Sequence, residues 1–131
     1  MFDANTKVLI VDDMSTMRRL VKKACIGLGL SNIEEAEDGQ KAWEKFQAAG
    51  DFQLVISDWN MPNCTGLEFL KKVRADSKFK KTPFVLLTAE AEAAQIAEAI
   101  QLGVSNYIVK PFTPEILRQK LEQTHKRVSA A

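Results

Sequence analysis

Short, uniformly apolar runs alternate along the chain with longer segments whose apolar residues recur at helical spacing. Val8-Leu9-Ile10-Val11 is too short and too apolar for a surface helix, and reads as a strand buried on both faces. Beyond the acidic pair Asp12-Asp13, the residues Met17, Leu20, Val21, Ala24, Cys25 and Leu28 are spaced i, i+3, i+4, i+7, i+8, i+11. That spacing predicts an amphipathic helix, which Gly27 and Gly29 close. The alternation repeats with a strand over Ile33–Ala36, a helix from about Gly39 through Trp43 and Phe46, a turn at Gly50-Asp51 and a strand over residues 52–57. A helix around Leu67, Leu70 and Val73 follows, then a strand over Phe84–Thr88 behind Pro83 and a helix carrying Ile96 and Ile100 that stops at Gly103. A strand over residues 107–109 leads to a last helix with Leu117, Leu121, Thr124 and Val128 on one face.

Five strands each followed by a helix predict an α/β fold, a doubly wound parallel sheet covered on both faces. Right-handed crossovers are the common way to join neighbouring parallel strands. No repeat, low-complexity tract or linker breaks the pattern, so one domain is expected over residues 1–131.

Composition narrows the class of function. Hydrophobic residues at 46% and charged residues at 27% exclude wholesale disorder. With 18 Lys+Arg against 17 Asp+Glu, the formal charge of +1 gives no overall field to attract nucleic acid or an anionic membrane. Cys25 and Cys64 match no metal-ligand or disulfide spacing, which points to a reducing compartment. The first residues lack signal-peptide character and no apolar run approaches the roughly 18 residues of a membrane span, so a cytoplasmic location is expected.

In open parallel sheets ligands bind outside the carboxyl ends of the strands, which makes the residues just past each strand the ones to inspect. Asp12-Asp13 follow the first strand, Asp58-Trp59-Asn60-Met61-Pro62 the third, Thr88-Ala89-Glu90 the fourth and Lys110-Pro111-Phe112 the fifth. Carboxylates at neighbouring strand ends would approach to about 5 Å and repel by roughly 3 kcal/mol at an effective dielectric near 20. A divalent cation offsets that, and an oxygen-only site with few carboxylates suits Mg²⁺. Mg²⁺, a lysine and a hydroxyl gathered around an aspartate can each hold a different phosphoryl oxygen, which makes Asp58 the candidate nucleophile of an aspartyl phosphate.

These motifs together resemble the receiver domains of bacterial two-component signalling, in particular its chemotaxis regulators, from about Lys7 to Arg127. The resemblance implies a flavodoxin-like five-stranded sheet in the order 2-1-3-4-5 with five helices, an order known for the family. It implies that a histidine kinase phosphorylates Asp58, that Asp12, Asp13, Asp58 and the Asn60 backbone carbonyl hold Mg²⁺, and that Thr88 and Lys110 bind phosphoryl oxygens. Tyr107 stands at the aromatic switch position, Asn60 and Glu90 at positions that gate the hydrolytic water, and Lys110-Pro111 at a family position that is cis. The implied partners are the chemotaxis kinase, a flagellar motor switch protein or other effector, and a phosphatase, with no nucleic acid and no membrane. The implied role is a stand-alone signalling switch and not an enzyme, though it takes part in its own phosphorylation and dephosphorylation.

Two departures stand out. Thr65 precedes Gly66 where receivers commonly have an acidic residue, with Gly66 still free to adopt a positive φ; Glu92 and Ala93 open the fourth helix where chemotaxis regulators carry lysines. Plainer readings compete at each site residue: Asp12-Asp13 as an N-cap for a helix beginning near Ser15, Lys110 as a solvated charge, Tyr107 as edge packing. Trp43 and Phe46 read as core, Trp59 as a half-exposed flank of the site, and His125 as solvated. Competing functions are a phosphate sink, an aspartyl-phosphate phosphatase of the haloacid dehalogenase kind, and a flavodoxin. The phosphatase expects an acid two residues after its nucleophile, where Asn60 stands, and Asp12-Asp13 would repel a flavin phosphate.

Overall fold

A computed structural model describes residues 2–89 and 93–130. The chain order is β1 (Val8–Val11), α1 (Ser15–Gly27), β2 (Ile33–Ala36), α2 (Gly39–Ala49), β3 (Leu54–Asp58), α3 (Gly66–Ala75), β4 (Phe84–Thr88), α4 (Ala93–Gln101), β5 (Asn106–Val109) and α5 (Pro114–Ala130). All strands pair in parallel, in the order β2-β1-β3-β4-β5.

Successive side chains of a strand point to opposite faces, so each strand feeds two separate cores. Leu9, Val11, Val55 and Leu86 meet Phe46 of α2, Phe69 and Val73 of α3 and Ala99 of α4 on one side. Val8, Ile10, Leu54, Ile56, Val85 and Leu87 meet Val21 and Cys25 of α1 and Leu117 and Leu121 of α5 on the other. The first core is aromatic: Phe46 lies edge-on to Phe79 at 4.6 Å and stacks on Phe52 at 5.7 Å, while Phe69 meets Phe84 at 5.3 Å. Burial on both faces is why β1, Leu54-Val55-Ile56 of β3 and Phe84-Val85-Leu86-Leu87 of β4 read as unbroken apolar runs.

Several expectations shift at the edges. Phe52 belongs to the aromatic cluster and not to β3, which starts at Leu54 and runs one residue further, to Asp58. β5 begins at the buried Asn106, whose side-chain amide donates to the Lys120 carbonyl and to Thr124 Oγ1, tying the strand to α5. On α1 the buried stripe is narrower than its apolar spacing: Val21 and Cys25 are buried while Leu20 is 48% exposed. On α4 it is Ala99 that packs inward, and Ile100 is 58% exposed. A helix of small residues can seat an alanine on the sheet and leave Ile100 outside, with Ile96 half-buried.

Candidate functional site

Asp12 follows β1 directly, and its N–H donates to the Ala36 carbonyl at 3.2 Å, which carries the β1–β2 pairing one residue past the strand. Its carboxylate is buried at 1% exposure. Oδ1 accepts the Met14 N–H at 2.9 Å, while Oδ2 is buried without a hydrogen-bond partner among the described residues. Helix α1 therefore starts at an N-cap Met14 that has no side-chain cap, and the reading of Asp12-Asp13 as N-caps fails. Asp12 turns its second oxygen into the site.

Asp58 ends β3 and is 7% exposed, in register with Leu87. The turn behind it is tight: the Trp59 N–H donates to the Leu87 carbonyl at 3.0 Å and the Gly66 N–H to the Trp59 carbonyl at 2.9 Å. A Cβ on Gly66 would collide with the Asp58 carbonyl oxygen. Glycine is needed at 66 for this close approach, and the freedom to take a positive φ is not used there; the left-handed residue of the loop is Asn63, at φ 66°. Thr65 caps α3 in a reciprocal pair with Glu68, its hydroxyl accepting the Glu68 N–H while Glu68 accepts the Thr65 N–H. A threonine thus meets the capping need that an acidic residue at this position would meet. Trp59 is buried at 7% exposure as part of the aromatic core, not a half-exposed flank.

Lys110 follows β5. Its N–H donates to the Thr88 carbonyl at 2.7 Å, and the Lys110-Pro111 bond is cis. Its ammonium stands 2.8 Å from Asp58 Oδ1 and 3.6 Å from Asp12 Oδ2, so it is not a solvated surface charge. Asp13 is exposed, yet one carboxylate oxygen each from Asp12, Asp13 and Asp58 lie within 4.8 Å of one another. Thr88 ends β4, buried at 3% exposure and in register with Val109, at the same edge of the sheet.

Burial pushes the Asp12 carboxyl above its ordinary range, and the charges of Asp58 and Asp13 add to this against the Met14 N–H and the Lys110 ammonium. Three carboxylates face one ammonium, and the orphaned Asp12 Oδ2 marks where positive charge is missing. The donors are all oxygen and few, which fits Mg²⁺ with retained waters. Asn60 is exposed two residues beyond Asp58, and its carbonyl has no hydrogen bond among the described residues, leaving it open to a cation.

Tyr107 is half-buried against the aromatic core, with the Lys120 ammonium 5.3 Å over its ring. Glu90 and Glu92 lie outside the described residues. His125 is not simply solvated: its ring lies edge-on to Phe2 at 5.0 Å.

Two sets of supporting residues escaped the sequence reading. Arg18 Nη1 donates to the Asp12 carbonyl at 2.6 Å while its Nε reaches Glu35 at 3.3 Å, anchoring the Asp12 main chain from α1. The signal was there, because Arg18 continues the Val21 and Cys25 stripe toward the start of the helix. Asp38 caps α2 through the Lys41 N–H and accepts from the Asn63 amide at 3.1 Å, while the Gly39 N–H donates to the Cys64 carbonyl at 3.1 Å. These bonds lock the loop that carries Asn60 onto the loop after β2, a pairing of distant segments that no local pattern announces.

The family model of the response regulator receiver domain matches residues 8–122, and the chain belongs to that family. Among its relatives, the chemotaxis protein CheY1 of Helicobacter pylori is 51% identical over 116 residues, 88% of this chain and 94% of the relative. The chemotaxis protein CheY-3 of Vibrio cholerae is 49% identical over 124 residues, 95% of each chain. The solved structure of Vibrio cholerae CheY4 superposes with a TM-score of 0.84 at 40% identity, covering 92% of this chain and 99% of that one.

Proposed function

We propose that this protein is a chemotaxis response regulator, a cytoplasmic single-domain switch in which Asp58 accepts a phosphoryl group from a histidine kinase. The observation that carries the reading is the setting of Asp58, whose Oδ1 accepts from the Lys110 ammonium at 2.8 Å beside Asp12 Oδ2, which has no hydrogen bond among the described residues. Relatives of 47 to 51% identity named as chemotaxis proteins support the pathway.

Asp58 Oδ2 has no hydrogen bond among the described residues and the side chain is 11% exposed, so one oxygen is free to attack phosphorus. The new O–P bond forms as the P–N bond to the donor histidine breaks, and the electron pair leaves with the imidazole. Lys110 then holds a phosphoryl oxygen close to where it now holds the carboxylate, and the Thr88 hydroxyl takes another. Asp12, Asp13, Asp58 and the Asn60 carbonyl would hold Mg²⁺, which supplies positive charge to the phosphoryl oxygens. Hydrolysis of the acyl phosphate resets the switch, and Asn60, with Glu90 by its place in the family motif, tunes its rate.

The phosphoryl group adds about 1.5 to 2 negative charges. Drawing Thr88 toward it vacates space for Tyr107 to move inward, which changes the face formed by α4, β5 and α5. Swinging a 1:99 equilibrium to 99:1 takes about 5.5 kcal/mol of differential binding. The effector reading that face would be a flagellar motor switch protein, with a phosphatase as a further partner. The family match does not favour the phosphatase or flavodoxin readings.

Incubation with acetyl phosphate and Mg²⁺, read by intact-protein mass spectrometry, should add one phosphoryl group to the native chain. It should add none to Asp58→Asn or in excess EDTA. Labelling that survives the substitution would place the acceptor elsewhere and overturn the assignment.

A further inference from the structure

Residues 71–81 concentrate charge that the whole chain does not show. Lys71, Lys72, Arg74, Lys78, Lys80 and Lys81 face only Asp76 within the segment, in a chain of formal net charge +1. The segment closes α3 and leads into β4, which places it at the amino edge of the sheet, across the molecule from Asp58. Favourable placement at a helix C-terminus accounts for Lys72 and Arg74. It does not account for Lys80 and Lys81, which lie beyond the helix, are exposed, and have no ion pair among the described residues.

Arg74 is the centre of this edge. Its Nε donates to the Gly103 carbonyl at 2.8 Å, its Nη1 to the Thr82 carbonyl at 2.6 Å, and its Nη2 reaches Ser105 Oγ at 3.4 Å. The guanidinium is half-buried with no carboxylate beside it among the described residues, although buried charges are ordinarily paired. Three of its five N–H groups are used, which leaves two as donors. A cleft of about 440 Å³ opens beside it, lined by Arg74, Lys80, Lys81, Gly103 and Val128.

We propose that this cleft docks an acidic segment of a partner protein, its carboxylates meeting Arg74, Lys80 and Lys81 and an apolar residue seated against Val128. Charge complementarity carries the choice of occupant. Nucleic acid or a membrane surface would call for a broad basic field, whereas here the positive charge is local and the cleft has an apolar wall. The surface lies at the opposite edge from the phosphorylation site, so a partner held there leaves Asp58 open. The proposal does not depend on the phosphotransfer reading.

The probe is a short synthetic peptide rich in Glu with interspersed Leu, titrated into ¹⁵N-labelled protein at low salt. Shifts in the amide spectrum should concentrate at residues 74–82 and 103–105, and affinity should fall as salt rises. Lys80→Glu combined with Lys81→Glu should weaken binding at least tenfold, while Lys23→Glu on α1 should leave it unchanged. Retention of the native fold by the double variant is checked in the same spectra. Shifts centred elsewhere, equal weakening by the α1 control, no binding at all, or tighter binding of a DNA oligonucleotide or an anionic vesicle would each overturn the proposal.

Discussion

At the scale of single residues, Asp12 is held in a state that costs stability, a cost that a bound cation would offset. Its pKa is raised by burial first and by its acidic neighbours next, so the folded chain binds the Asp12 proton more tightly than the unfolded chain does. The stability this contributes is present below the ordinary Asp value of 3.8 and is lost as pH rises through the raised value. At neutral pH without Mg²⁺, Asp12→Asn should therefore raise stability in urea by about 1–3 kcal/mol, the usual cost of a buried unsatisfied acceptor. Mg²⁺ affinity runs the other way with pH. It should weaken on acidification at pH values above the ordinary Asp range, as followed by tryptophan fluorescence. Arg18 acts one step back from the site. Arg18→Gln should weaken Mg²⁺ about 10–100-fold through the Asp12 main chain, with the far-ultraviolet circular dichroism unchanged. The charged residues at the strand ends were legible in the sequence because several strands end in them at once, although each alone has a plain structural reading. Arg18 left a trace, as it lies on the buried stripe of α1, but the bond between Asp38 and Asn63 did not, since it joins two loops that only folding brings within reach.

At the scale of elements, the strands were easier to place than the buried faces of the helices, although β3 starts two residues later than its apolar run suggests. β1 and β4 have the bounds their apolar runs give. The faces of α1 and α4 were misjudged because apolar spacing says which residues can be buried, not which the neighbouring sheet has room for. Trp59 was misplaced for a related reason: its neighbours Asp58 and Asn60 are polar, and the turn that carries its ring into the core depends on bonds to Leu87 and Gly66. Helix α3 matters most for the site, since its first residue abuts the Asp58 carbonyl. Gly66→Ala should lower both thermal stability and the yield of acetyl-phosphate labelling, whereas Thr65→Ala, which removes only the cap, should cost about 1 kcal/mol and leave labelling intact. Phe46→Ala, at the middle of the aromatic cluster, should cost about 3–5 kcal/mol in urea unfolding.

At the scale of the whole molecule, the order β2-β1-β3-β4-β5 puts β1 and β3 side by side at the centre, and that adjacency brings acids 46 positions apart in the chain, Asp12 and Asp58, to one ion-sized space. The class of fold followed from the alternation of strands and helices, while the strand order came only with the family resemblance, because no local feature of a parallel sheet says which strand neighbours which. The two edges differ in chemistry: acids gather at the carboxyl ends of β1 and β3, and bases in the segment that leads into the amino end of β4. The alternating strands add a consequence of their own. Each one hands its even-numbered positions in β1 and β3 to one layer of helices and its odd-numbered positions to the other, so a lineage could redraw the surface over α1 and α5 without disturbing the packing beneath α2 and α3. Such a molecule can change the company it keeps on one flank while its partners on the other notice nothing.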